Sequence, residues 1–289
     1  MTGSVSTVAS GLVGLAGAGG AAAIGLAVLR RPRPYLPGSH ALLDPDRRDP
    51  LGEALRRGYG SASIPIQAGP DGGPLVRGRP VGHLLLRPLL DRARRRGGRV
   101  HHGPTPPFGL VLEVSSAVPV RDLLGCLHEE VAPHAGLVTR CVDGRVVPGA
   151  ITVLVSGPPE VRDVLAADPG RHIFADGTFD DLGVAEVPAS LVPMVSEHWS
   201  WRFGWDGEEP IAAEERYLLH DLVRRAHEDG RRVRLFGAPR RTRRIRAACW
   251  AELAAAGVDL IGDADLAGLA RYLRTARRPR RPVVPPRST

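Results

Sequence analysis

The sequence contains no lysine and no asparagine, and all 39 of its basic residues are arginine. With alanine, glycine and proline abundant, this composition reflects a coding bias towards G and C. The formal net charge of +8 is therefore weak evidence for a nucleic-acid partner, and none is expected. Cysteine is scarce: Cys126, Cys141 and Cys249 are odd in number, widely spaced and form no Cys-x-x-Cys pair. That count gives a disulfide framework and a zinc site little support, and buried free thiols are expected. Aromatic residues make up only 4%, which makes the run Trp199-Ser200-Trp201 followed by Trp205 conspicuous, either as a pocket wall or as packing at a rim. The glycine-rich segments lack a nucleotide-binding fingerprint in strand-helix context, and no Gly-x-Ser-x-Gly elbow is present.

What is present is a core. Hydrophobic residues reach 43% against 24% charged, enough for a packed domain. Gly11–Leu29 is apolar without one charge and is followed by Arg30, Arg31 and Arg33. Its length suits a bilayer core of about 30 Å. The flanking arginines favour a single-pass helix with the remainder in the cytoplasm, and an atypical signal peptide on a secreted protein is the alternative. The segment from Arg277 to Thr289 is basic and rich in proline, and is expected to be a disordered tail.

Between these ends, short apolar runs alternate with helical patterns. Strands are predicted at Tyr35–His40, Ser61–Ile66, Gly109–Val114, Ile151–Ser156, His172–Ala175, Leu191–Ser196, Arg232–Phe236 and Val258–Ile261. Helices are predicted at Pro50–Arg57, Leu84–Arg96, Val120–Val131, Pro159–Ala167, Glu208–Asp229, Arg240–Ala256 and Leu266–Ala276, with Asp176–Ser190 a loop. Eight strand-helix alternations predict an α/β fold of the TIM (β/α)8 type over residues 35–276, preceded by the apolar anchor of residues 1–34 and followed by the tail of residues 277–289. The chemistry of such a barrel lies at the C-terminal ends of its strands. The polar residues there are His40, Glu113, Ser156, Asp176, Glu197 and Asp263, with Arg234 inside the seventh strand. His40 suits acid-base work, and converging carboxylates suit Mg²⁺ or Ca²⁺. His101-His102 sits in a loop and reads as solvated. Each of these residues can also be read as an ordinary satisfied polar cap.

Several stretches resemble a known group. Val195-Ser196-Glu197-His198-Trp199-Ser200 is similar to a Ser-Glu-Asn-Trp-Ser motif, and Val233-Arg234-Leu235-Phe236-Gly237-Ala238-Pro239 to an Arg-Phe-Trp-x-x-Pro segment. Ile151–Gly157 with Arg162, and Gly257–Ile261, extend the likeness. The group is that of the altered inheritance of mitochondria protein, within the phosphatidylinositol phospholipase C-like and glycerophosphodiester phosphodiesterase superfamily. The resemblance implies a phosphodiesterase-like barrel linked to lipid metabolism, with a phosphodiester or lipid headgroup as its ligand. It implies His40 as the catalytic residue and Glu113 as a surviving metal ligand; Arg77 and Arg234 are read beside it as phosphate contacts, and Glu197 as a second metal ligand. The expected second-strand ligands fall on Ser63 and Pro65, and the expected second histidine on Gly78, with His83 as its nearest substitute. A barrel that has lost hydrolysis and kept headgroup binding is the leading expectation. A rearranged active enzyme and a non-catalytic membrane-associated interaction protein are the alternatives.

Overall fold

The structure, a computed structural model, describes residues 33–114 and 119–276. The apolar stretch Gly11–Leu29 and the tail from Arg277 lie outside the described residues. Eight strands, β1 (Leu36–Leu42), β2 (Tyr59–Ala68), β3 (Phe108–Val114), β4 (Ile151–Ser156), β5 (Ile173–Gly177), β6 (Met194–His198), β7 (Arg232–Phe236) and β8 (Leu260–Asp263), pair in parallel in chain order. The pairing of β1 with both β8 and β2 closes the ring, so the fold is a closed parallel barrel of eight strands. Among the described residues no helix is long and apolar enough to cross a membrane, which overturns the expected single-pass anchoring as far as these residues reach.

Helices α1 (Pro50–Arg57), α2 (Arg87–Arg94), α3 (Val120–Val131), α4 (Pro159–Ala166), α6 (Ala213–Glu228), α7 (Arg243–Ala255) and α8 (Leu266–Thr275) accompany the strands, with a single-turn α5 (Trp199–Arg202) directly after β6. Local chemistry sets several of their ends. Asp49 caps α1 through the Gly52 amide, Pro50 occupies the first turn where its missing N–H costs nothing, and Gly58 closes the helix at φ 86°. Asp265 caps α8 and Thr242 caps α7 in the same manner. Ahead of α2, Gly82–Leu86 forms a widened turn in which the Arg87 amide reaches Gly82; Pro88 has no amide with which to continue a normal ladder. Between β5 and β6 there is no helix. A single 3₁₀ turn at Phe179–Asp181, capped reciprocally by Thr178 and Asp181, takes its place.

The period of two along each strand divides the core. Ala62, Ile64, Leu110, Leu112, Val153 and Val155 face outward under the helices and are fully buried there with Leu85, Leu89, Leu123 and Leu127. A separate set fills the lower barrel: Val111, Leu154, Phe174, Met194 and Leu260, closed from below by Cys141 of the hairpin formed by Arg140–Val142 and Arg145–Val147. His101, read from the sequence as solvated, is buried and bonds the Tyr59 carbonyl through Nε2 at 2.7 Å. Burial lowers its pKa to about 4.

Candidate functional site at the barrel mouth

Two residues above the apolar layer the same strands turn polar. Val111 is followed by Glu113, Leu154 by Ser156, Phe174 by Asp176 and Met194 by Ser196, all on the barrel face. Arg234, 1% exposed in its side chain, lies across the axis and links them. Its Nε donates to Ser196 Oγ at 2.9 Å, one terminal nitrogen to Asp176 Oδ2 at 2.9 Å, and the other to His40 Nε2 at 2.9 Å and Glu113 Oε1 at 3.4 Å. Ser196 in turn donates to Asp176 Oδ1 at 2.6 Å. Side chains from β1, β3, β5, β6 and β7 therefore meet at one point.

This pattern fixes the protons. A guanidinium only donates, so His40 Nε2 accepts and Nδ1 carries the hydrogen. Nδ1 donates to Ser61 Oγ at 2.9 Å, and Ser61 passes its own hydrogen to the Ser39 carbonyl at 3.1 Å. Burial lowers the His40 pKa well below its ordinary value, and the nearby charges of Arg234 and Arg232 lower it further, so the ring is neutral. For Asp176, burial raises the pKa against the opposing pull of Arg234 and the Ser196 bond. The cluster places one guanidinium against two carboxyl groups, and Glu113, whose side chain is 33% exposed, is the one of the two that reaches outward.

Ser63 lies two residues beyond Ser61 on the same face of β2, and its buried hydroxyl has no partner. Above the cluster, His198 and Phe236 are paired in register on β6 and β7, with ring centroids 5.5 Å apart and edge-on. The Arg234 guanidinium lies 4.9 Å from the Phe236 ring centre. Trp201 stands 5.9 Å from His198 and is 72% exposed. Trp199 and Trp205 are instead packing residues: Trp199 stacks on Phe203 at 4.3 Å and donates to the Trp205 carbonyl. A Cβ on Gly237 would fall 2.0 Å from His198 Nε2, and Gly237 has φ +73°, so a side chain is excluded there on both counts.

His40, Glu113 and Arg234 are thus brought together as expected, whereas Glu197 and Arg77 are not. Glu197 follows Ser196 and faces the opposite side of β6. Its carboxylate is held by Arg202 through both oxygens and by the Phe179 amide at 3.2 Å, and Arg202 also binds Asp180. Arg77 sits in the turn between short strands Pro74–Val76 and Arg79–Pro80, at φ 49°, and pairs with Asp46 at 3.1 Å. Asp263 accepts from the Asp265 amide, and His83 is exposed on its helical turn. The residues do not fit the expected Mg²⁺ or Ca²⁺: Glu113 and Glu197 point to different sides of the sheet, and each is already answered by an arginine. Among the described residues no group of three or more His, Cys, Asp or Glu side chains is placed to hold a metal ion.

Sequence reasoning did not single out Ser61, Ser196 or the free hydroxyl of Ser63 as a contact. The signal for Ser196 is the step from Met194 to a polar residue two positions on, and for Ser61 and Ser63 their alternation with the outward Ala62 and Ile64, rather than any motif.

No family model matches the chain, and no curated protein matches it. Among solved structures, a methylaspartate ammonia lyase from Clostridium tetanomorphum aligns at 11% identity over 84% of this chain and 57% of its own, with a TM-score of 0.48. A dipeptide epimerase from Methylococcus capsulatus, complexed with Mg and a dipeptide, aligns at 17% identity over 83% and 57%, with a TM-score of 0.43. Cel5A from Thermotoga maritima, in complex with cellobiose, aligns at 10% over 82% and 97%, with a TM-score of 0.41. The chain spans little more than half the length of the first two proteins. None of these is a phosphatidylinositol phospholipase C or a glycerophosphodiester phosphodiesterase, and the expected membership of that superfamily, with its lipid chemistry, is corrected accordingly. The geometry supplies a physical reason. The guanidinium that was to hold phosphate is already bound by Asp176 and Glu113, and an incoming anion would meet a cluster with more carboxyl groups than cations.

Proposed function

We propose that the mouth of the barrel, within the unit formed by residues 35–276, binds a small polar molecule carrying hydroxyl or amine groups rather than an anion. The observation that carries this reading is the unpartnered, buried hydroxyl of Ser63 on β2, together with the partly exposed carboxylate of Glu113 on the neighbouring β3. A buried polar group without a partner costs about 1–3 kcal/mol, and a ligand group that bonds it recovers that cost. Arg234 orients Glu113 through Oε1, and the hydrogen-bond chain from Arg234 through His40 to Ser61 holds that side of the site in one arrangement. The exposed face of Trp201, next to His198, suits the apolar face of a polyol or the charge of an amine.

A thermal-shift screen of the full chain against polyols, sugars, amines, carboxylates and phosphate esters tests this. Stabilisation by hydroxylated or amine compounds is expected, weakened about tenfold or more in Kd by Glu113→Gln. Ser63→Ala is expected to weaken the same compounds while leaving melting of the free protein unchanged or raised. Stabilisation by phosphate esters alone would overturn the reading.

A further inference from the structure

A cavity lies on the flank of the barrel, between α3 and α4, away from the mouth. It measures about 370 Å³, within the range of small-molecule sites. Leu124, Val164, Leu165 and Ile173 make it largely apolar, and Arg171, at the entry to β5, contributes to its lining. Arg171 is only 6% exposed. Two of its nitrogens donate to the carbonyls of Asp168 and Ser190 and its guanidinium lies 5.9 Å from the Phe174 ring centre, but its buried Nε has no partner, and among the described residues no carboxylate is paired with it. A guanidinium so deeply buried without a counter-ion is unusual, because its desolvation is not offset by an opposite charge.

An independent feature marks the same place. Gly125 lies inside α3 and lines the cavity, and a Cβ built on it would meet nothing within 4 Å. Packing therefore does not require glycine there, although glycine inside a helix costs about 1 kcal/mol relative to alanine. A side chain at this position would enter open space at the cavity's edge. From a buried Arg171 with an unpartnered Nε and no paired carboxylate at an apolar cavity, we infer that this flank binds a small aliphatic carboxylate, its chain between α3 and α4 and its carboxylate on Arg171. Arg121 and His128 stand at the same cavity with Glu129 and Asp168; the His128 ring is 3.9 Å from the Asp168 carboxylate, whereas no carboxylate among the described residues is paired with Arg171.

Calorimetric titration of the full chain with acetate, butyrate, valerate and hexanoate, and with valeramide as an uncharged control, tests the inference. Saturable binding that strengthens from acetate to valerate is expected, with valeramide at least tenfold weaker. Gly125→Leu, which fills the cavity from a helix position without a steric conflict, is expected to abolish binding while the melting temperature holds or rises. Arg171→Gln is expected to weaken valerate at least tenfold; should that variant fail to fold, Gly125→Leu decides alone. Absence of binding by every acid, equal binding of acid and amide, or unchanged binding in Gly125→Leu would each overturn the inference.

Discussion

The lower and upper halves of the barrel interior are built by the same strands and differ in almost every physical respect. Below, Val111, Leu154, Phe174, Met194 and Leu260 pack with Cys141 and need nothing but complementary volume. Above, Glu113, Asp176, Ser196, His40 and Arg234 are held by directed bonds, each of which constrains the next. A methylene lost from the lower layer costs contacts, whereas a charge lost from the upper layer leaves its partner stranded away from water. The lesson is that the lower layer supports the barrel and the upper layer can be specialised, provided its charges stay matched.

Three substitutions or conditions would break or sharpen that contrast. The largest effect is expected from Arg234→Met, which leaves Asp176 buried without its cation; a loss of about 3–5 kcal/mol is expected in urea denaturation. Combining it with Asp176→Leu should recover much of that loss, and failure to recover would show that the upper layer carries more of the fold than pairing alone explains. A smaller effect, about 1–3 kcal/mol, is expected for Gly237→Ala, read in the same assay, because alanine meets both an unfavourable backbone angle and the His198 ring.

The smallest effect is pH-dependent. The folded pKa of His40 lies well below its ordinary 6.5, so protons bind the unfolded chain more readily. The stability contributed by the neutral ring is full above about pH 6.5 and is lost as pH falls towards the folded value, by at most about 1.4 kcal/mol per pH unit. His101 acts in the same direction between 6.5 and about 4. Asp176, whose pKa is raised, acts in the opposite direction within the carboxylate range, since its protonation favours the fold. Denaturation midpoints between pH 5 and 7 should flatten in His40→Gln relative to the parent, and an unchanged slope would show that His40 is not the group responsible.

Much of the barrel was legible because buried parallel strands read as short apolar runs and the helices carry their own stops. The run at Arg232–Phe236 matches β7, and Pro50–Arg57 matches α1. The turn at Gly82–Leu86, the two short hairpins and the single-turn α5 were not legible, since each arises from a local exception rather than a period. At the site, His40, Glu113 and Arg234 were legible as polar residues at or near strand ends. Glu197 misled because its strand was expected to begin at Leu191, when β6 begins at Met194 and the side each residue faces was left unread. With Val195 fully buried beneath the outer layer, alternation alone assigns Ser196 to the interior and Glu197 to the outside. The resemblance failed differently, by carrying a ligand set onto positions whose partners are arginines.

The missing helix between β5 and β6 has a mechanical consequence. β2 and β3 are joined by a register running from Ser61 opposite Gly109 to Ile66 opposite Val114, but β5 and β6 are matched only at Asp176 with Met194 and Gly177 with Val195. A closed ring under thermal stress parts first at its least fastened stave. Here that stave is bridged from within by the Ser196 to Asp176 bond and by the arm of Arg234, so the polar groups at the mouth are also the clasp across its weakest seam.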